Sequence, residues 1–301
     1  MNNDKKEEKA LKDVLILGAG GMAGHVVSTY LKETGRYSVK DVCHSIILDE
    51  KSIKMDVITE KEELIHLIET TTPDILINCM AILPIRKAEE NPDMAIYVNA
   101  YLPRLLERVL ASRKTRIIHL STDCVFSGKR GNYTSSDPSD AVDAYGRTKA
   151  LGEIKNSKDL TIRTSIIGPE LKENGTSLFH WFMSQKGEIK GYRKVFWTGL
   201  TTVELAKVID WAIEADIRGL KQIVPPQKIS KYELLLKIRE VFKKEEVTIL
   251  PYDELVCDRS LIPDAIPGMP PVPDYDEMIK EMHRWIIKHA GVFKNYQKYI
   301  P

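Results

Sequence analysis

Cysteine is scarce: four residues in a chain of 301, at positions 43, 79, 124 and 257, with no Cys-x-x-Cys pair. That scatter excludes a disulfide scaffold and a cysteine zinc site, and unpaired thiols fit a reducing cytoplasm. An excess of charge of one sign is missing too. Lys and Arg number 44 against 43 Asp and Glu, a net charge of +1, so no charge-driven nucleic-acid or membrane partner is indicated. No apolar run approaches the ~20 residues of a membrane span. Residues 1–12 are polar and charged, lack the apolar stretch of a signal peptide, and read as a flexible tail. What remains is an ordinary globular composition, 43% hydrophobic and 29% charged. The length suits one large α/β domain or a domain with a lobe.

The apolar run Val14-Leu-Ile-Leu17 ends in glycines at 18, 20, 21 and 24, and an amphipathic pattern follows. A buried parallel strand feeding a helix is the reading. Gly18, Gly21 and Gly24 lack the Cβ atoms that would block a tight turn, a pyrophosphate against backbone N–H groups, and close helix–strand packing. A second strand near residues 38–43 ends at His44-Ser45, where NAD-binding proteins usually carry an acid for the ribose hydroxyls. Its absence leans towards NADP(H), with NAD(H) still open because Asp41 stands close by. A third strand over residues 52–57 carries Asp56, and a helix over residues 59–71 follows. Residues 74–81 form a fourth buried strand, with Asn78 at its C-terminal end either lining a ligand groove or forming a turn. A long helix over residues 87–111 contains Asn99, and Pro103 predicts a kink or break in it. A fifth strand over residues 115–120 runs into Ser121-Thr122-Asp123, and a sixth follows over residues 160–164. Uninterrupted βα alternation gives an α/β fold, a doubly wound parallel sheet.

Tyr145-Gly-Arg-Thr-Lys149 sits at the start of the helix between those last two strands. Four residues is just over one turn, so the phenol and the ammonium share a face. An ammonium about 4 Å away favours a phenolate by about 4 kcal/mol at an effective dielectric of about 20. That would bring the phenol down towards neutrality, where acid–base work is efficient. Such a pair alone also describes a solvated helix surface. Hydroxyl, phenol and ammonium around one point would hydrogen-bond a carbonyl and protonate its oxygen, while hydride from a nicotinamide completes a reduction.

With Gly18-x-x-Gly-x-x-Gly24, Ser121-Thr-Asp-Cys-Val-Phe-Ser-Gly128 and Tyr145-x-x-x-Lys149 in this order, the sequence resembles the extended short-chain dehydrogenase/reductase superfamily. Within it the chain is most similar to the dTDP-4-dehydrorhamnose reductase-like branch of nucleotide-sugar reductases. The resemblance implies that Tyr145 is the general acid, Lys149 tunes it and holds the nicotinamide ribose, and Thr122 orients the carbonyl. It implies a cofactor site of Gly18, Gly21, Met22, Gly24, His44, Asp56, Asn78, Ala81, Asn99 and Ser121, together with Tyr145 and Lys149. Asp123, Trp197 and Arg259 join Thr122 and Tyr145 as substrate-binding candidates. The stretch Ile82-Leu-Pro-Ile85 departs from the alanine- and threonine-rich stretch usual there. No metal site is implied, and a homodimer is common in the family.

The expected organisation is a dinucleotide-binding Rossmann domain over residues 13–168, to which part of 195–225 returns. A smaller substrate-binding lobe occupies most of residues 169–301. Lys186, Lys190, Arg193 and Lys194 either meet a nucleotide diphosphate or form a solvated face. The functional expectation is a cytoplasmic NAD(P)H-dependent reductase of a nucleotide-activated 4-keto-6-deoxy sugar, making surface polysaccharide precursors. An epimerase or dehydratase, or a non-catalytic nucleotide-sugar-binding regulatory subunit, are the alternatives. Dehydratases commonly add Asp-Glu beside the hydroxyl, where this chain has Asp123-Cys124.

Overall fold

The computed structural model describes residues 11–83 and 85–300, and for Ile85 and Arg86 the backbone alone. Most of the expected tail, residues 1–10, and Pro84 within the 82–85 departure lie outside the described residues.

In chain order the first half comprises β1 (Lys12–Leu17), α1 (Met22–Thr34), β2 (Tyr37–Cys43), β3 (Ile53–Lys54), α2 (Lys61–Thr71) and β4 (Ile75–Asn78). Then come α3 (Ile85–Glu90), α4 (Pro92–Ala95), a π-helical turn (Ile96–Tyr101), α5 (Leu102–Val109), β5 (Arg116–Leu120), α6 (Ala144–Gly152) and β6 (Leu160–Arg163). The second half has β7 (Ile166–Ile167), α7 (Leu178–Ser184), β8 (Gly187–Tyr192), β9 (Val195–Trp197), β10 (Leu200–Thr201), α8 (Thr202–Glu214) and β11 (Gly219–Gln222). It closes with β12 (Ile229–Ser230), α9 (Lys231–Val241), β13 (Val247–Tyr252), β14 (Cys257–Asp258), α10 (Tyr275–Lys288) and a 3-10 segment (Lys294–Tyr299).

Seven strands form one parallel sheet in the order β11-β6-β5-β4-β1-β2-β3. The period-2 alternation of β1 sorts its side chains between two layers. Val14 and Ile16 join the cluster holding Val26, Val27 and Leu31 of α1 and Leu205 and Ile209 of α8. Leu15 and Leu17 face the other way, with Leu64 and Ile68 of α2 and Leu102 and Leu106 of α5. Helices on both faces explain why β1 is apolar at consecutive positions. Each such side chain, fully buried, contributes about 1.5–3 kcal/mol.

The expected helix over residues 87–111 is broken twice. Pro92 disfavours helical backbone at Asn91, which turns out to φ −133° and ψ 68°. Before Pro103 the chain widens into the π turn, relieving the clash its ring would make with the Asn99 carbonyl. That carbonyl is met by Gly152 of α6, where a Cβ would lie 2.0 Å from Asn99 O. The π turn and α6 thus approach closely just behind the Tyr145 segment.

The chain order reverses between β1 and β4, so a crevice opens beyond their C-terminal ends. Beside it, β9 pairs antiparallel with β12 and parallel with β14 in a small three-stranded sheet. The basic run of residues 186–194 lies largely in β8, paired with β13; Arg193 bonds Asp253 and Lys190 sits 4.0 Å over the Tyr252 ring. It is a solvent-facing strand with its own partners. All four cysteines are free, Cys43 buried and the others partly so.

Candidate active site

A cavity of ≈ 420 Å³ fills the crevice. Gly18, Gly20 and Gly21 line it from the end of β1, His44 and Asp56 from the ends of β2 and β3, and Ala81 from the end of β4. Gly18 takes a left-handed φ of +77°, and a Cβ there would lie 2.8 Å from the Met80 side chain. Helix α1 begins with Gly21 as N-cap, with no side-chain cap and no acid in its first turn. Its N-terminal amides and positive dipole end are therefore left for an anion, which suits a pyrophosphate. These glycines and that uncapped helix fit a dinucleotide.

Several expected cofactor residues do other work. Gly24 faces away from the cavity and lets α1 seat on the turn, since a Cβ would lie 2.3 Å from Gly18 O. Met22 opens α1 but does not line the cavity. Asn78 is fully buried, its amide 3.2 Å from His119 Nδ1 and its oxygen accepting the Met80 N–H, so it forms the turn instead of the groove wall. Asn99 is buried as well. Its Oδ1 accepts the Ile82 N–H at 2.8 Å and its Nδ2 donates to Thr148 Oγ1, fixing the Ala81–Ile82 backbone against α6. Ser121 donates to Glu153 Oε1 at 2.8 Å, inside a buried pair in which Arg163 grips both oxygens of Glu153. Trp197 is 3% exposed, donates to Ser165 Oγ and packs on Tyr275, so it belongs to the core.

The catalytic candidates come together at the C-terminal end of β5. Asp143 caps α6 by accepting the Gly146 N–H, and Gly146 lies so close to the β5 loop that a Cβ would meet Cys124 O at 2.0 Å. This contact sets the phenol of Tyr145 beside the hydroxyl of Thr122. Thr122 also bonds Asp123 Oδ1 at 3.1 Å and accepts the Cys124 N–H. Lys149, one turn on, donates to the Leu120 carbonyl at 2.5 Å.

Electrostatics here run against the expectation for Tyr145. Burial pushes its pKa up, the acidic neighbours Asp123 and Asp143 add to this, and Thr122 only partly opposes it. Lys149 turns instead to Leu120 O, Glu153 and Cys79. Its own pKa is lowered to about 8, mainly by burial, with Glu153 opposing. At neutral pH the site therefore holds a protonated phenol beside a protonated lysine.

Behind Thr122, burial raises the Asp123 carboxyl while Lys231 and Arg259 pull it down. Arg259 reaches Asp143 Oδ2 at 3.2 Å and Cys124 Sγ at 3.4 Å. Gly128, at φ +82°, leaves room for that strand, since a Cβ would sit 2.5 Å from Cys257 Sγ. Lys231 is the neighbour that sequence reasoning missed. It lies far along the chain, and only the small β12-β9-β14 sheet brings it here. Gly20 and Met80 were missed as cavity residues too; the run of glycines pointed at Gly20.

Fold and site together define the class: a doubly wound dinucleotide-binding protein carrying the Thr, Tyr-x-x-x-Lys constellation of short-chain dehydrogenases/reductases. The chain belongs to the family described as RmlD substrate binding domain, which matches over residues 12–255. It is 36% identical over 141 residues to a probable low-salt glycan biosynthesis reductase, Agl14, of Haloferax volcanii, covering 46% of each chain. It is 32% identical over 157 residues to a dTDP-4-dehydrorhamnose reductase of Aggregatibacter actinomycetemcomitans, covering 50% of each. The chain spans about half the length of these curated relatives. Among solved structures, a hypothetical dTDP-4-dehydrorhamnose reductase from Sulfolobus tokodaii is similar at 28% identity and TM-score 0.73, covering 83% of this chain and 91% of that one. Among the described residues no helix is long and apolar enough to cross a membrane.

Proposed function

We propose that this protein is an NAD(P)H-dependent reductase of the keto group of a nucleotide-activated 4-keto-6-deoxy sugar, working in the cytoplasm on surface-glycan precursors. The observation that carries the reading is Tyr145 beside Thr122 at the C-terminal end of β5, packed against Ala81 and Ile82 of the glycine-floored groove, with Lys149 one turn on. The reductase names of its relatives supply the substrate class.

A bound nicotinamide supplies the hydride. The chain's own part is to hold the carbonyl oxygen and deliver a proton to it. Thr122 orients that oxygen, and the Tyr145 phenol, kept protonated by burial, donates as negative charge develops there. A phenol with a raised pKa is a weak acid towards water, yet an alkoxide is more basic still, so transfer runs downhill. Lys149, protonated below about 8, stabilises the phenolate left behind.

NADP(H) is the favoured cofactor. The one acid at the end of β2, Asp41, is 2% exposed and its Oδ2 bonds Lys32 at 2.6 Å, so no β2 carboxylate faces the groove to repel a 2′-phosphate. His44 and Ser45 stand there instead. The test is loss of nicotinamide absorbance when the purified protein meets NADPH or NADH and a panel of nucleotide 4-keto-6-deoxy sugars. Consumption with NADPH, at least tenfold more efficient than with NADH, is expected. Isomerised sugar with no net consumption would mean an epimerase, and tight cofactor binding without turnover on any sugar would mean a binding subunit.

A further inference from the structure

Among the described residues, the lining of the cofactor cavity runs from Gly18 to Val98 with one exception, Lys172. Lys172 stands in the loop of residues 168–177 between β7 and α7, and among the described residues its ammonium has no ion-pair partner. The loop is folded as a unit. Glu170 Oε1 accepts the N–H groups of Thr176 at 2.9 Å and Ser177 at 2.5 Å, and a Cβ on Gly175 would lie 2.7 Å from His180 Cγ.

Its position is set from elsewhere, by the C-terminal 3-10 segment. The Tyr296 hydroxyl, on a residue 1% exposed, accepts the Glu170 N–H at 2.9 Å and lies 2.9 Å from His180 Nδ1. His180 Nε2 faces the Glu173 carbonyl at 3.1 Å, so in the neutral ring Nε2 donates and Nδ1 accepts the tyrosine's proton. Asn295 Nδ2 donates to the Lys172 carbonyl at 3.0 Å. From the same segment Phe293 packs edge-on against His25 of α1, whose Nδ1 lies 2.8 Å from Gly21 O. One brace therefore grips the loop that carries Lys172 and the helix whose uncapped amides face the cavity. The family match ends at residue 255, so the brace lies outside it.

We propose that Asn295 and Tyr296 are positioning residues for the dinucleotide: they fix the 168–177 loop so that Lys172 meets a phosphate oxygen of the cofactor at the rim of the groove. The proposal rests on the cofactor reading above. A lysine suits a phosphate as a point charge. Holding its loop in place beforehand means that the ordering entropy is lost on folding and not on binding, which favours affinity. Two sources supply the oxygen, the pyrophosphate common to both nicotinamide cofactors or the 2′-phosphate of NADPH.

The test is stopped-flow release of NADPH and NADH from wild type, Lys172→Met, Tyr296→Phe, Asn295→Ala and the double variant Lys172→Met with Tyr296→Phe. Tyr296→Phe should speed NADPH release about fivefold, the contribution of one hydrogen bond. If the 2′-phosphate is the partner, Lys172→Met speeds release of NADPH alone; if the pyrophosphate is, it speeds both. In either case the double variant releases cofactor within about twofold of Lys172→Met, because the tyrosine acts through the lysine. Asn295→Ala, at a half-buried residue, makes the same comparison should Tyr296→Phe not fold. Wild-type release rates in Lys172→Met, or in both brace variants, would overturn the proposal, as would effects that multiply in the double variant. A wild type that binds neither nucleotide would overturn the cofactor reading and the proposal with it. Release that depends on Tyr296 and Lys172 in a protein that reduces no keto sugar would overturn the reductase and leave the brace standing.

Discussion

Tyr145 and Lys149 sit one turn apart, and that spacing suggests a lysine pulling the phenol towards ionisation. Burial outweighs it: the phenol is 7% exposed, the ammonium 2%, and the lysine spends its hydrogen bond on Leu120 O. In the reductive direction this is no handicap, because the acid must still carry its proton when hydride arrives. Tyr145→Phe removes the proton and keeps the ring, so turnover should fall by about 10²–10⁴ with cofactor affinity unchanged in a fluorescence titration. Lys149, with its pKa lowered to about 8, is charged below that pH and loses its proton above it. Reductive kcat should therefore decline as pH rises through about 8. In Lys149→Arg, which stays charged, the residual rate should show no such limb, and a pH profile of the two enzymes checks this.

The elements explain how these side chains are held. Two contacts without room for a Cβ clamp α6, Gly146 on Cys124 O and Gly152 on Asn99 O. Gly146→Ala forces helix and catalytic loop apart. It should cost about 1–3 kcal/mol of stability and depress kcat more than cofactor affinity, measured by thermal melting and steady-state kinetics. Below the site, Glu153 holds Ser121 and Arg163 together in the sheet, all three buried. Glu153→Ala strands a buried guanidinium, so denaturant unfolding should show a loss of about 3–5 kcal/mol. The π turn belongs at this scale too. Pro103 announced a break, but only the packing of Asn99 against α6 shows why the break takes this form.

Across the whole molecule, the doubly wound parallel sheet and the meeting of Thr122 with Tyr145 were legible, because βα alternation and glycine spacing are local signals, whereas the strand order that reverses between β1 and β4 comes from the structure. The use of each polar side chain was less so. Asn78, Asn99 and Ser121 arrive at the right strand ends and helix, yet rotamer and neighbour commit them to internal hydrogen bonds. Trp197 reads by type as either a sugar contact or a core residue, and burial makes it core. Lys231 was invisible because strand pairings between residues distant in the chain, Ile229 with Trp197 and Cys257 with Val195, are what deliver it. The C-terminal 3-10 segment ties distant parts together: the Tyr296 hydroxyl accepts the Glu170 N–H and meets His180, and Phe293 packs edge-on against His25 of α1. Phe293→Ala should lower stability by about 3–5 kcal/mol, visible in denaturant melts, without altering which nicotinamide cofactor is preferred.

Isotope transfer shows whether hydride and proton reach one keto group. NADPH deuterated at its reactive position is supplied with a nucleotide 4-keto-6-deoxy sugar, and the product is examined by NMR. Deuterium is expected at the former keto carbon with one equivalent of NADP⁺ per product, and both are lost in Tyr145→Phe. Deuterium that stays on, or returns to, the nicotinamide while the sugar is merely isomerised would contradict it.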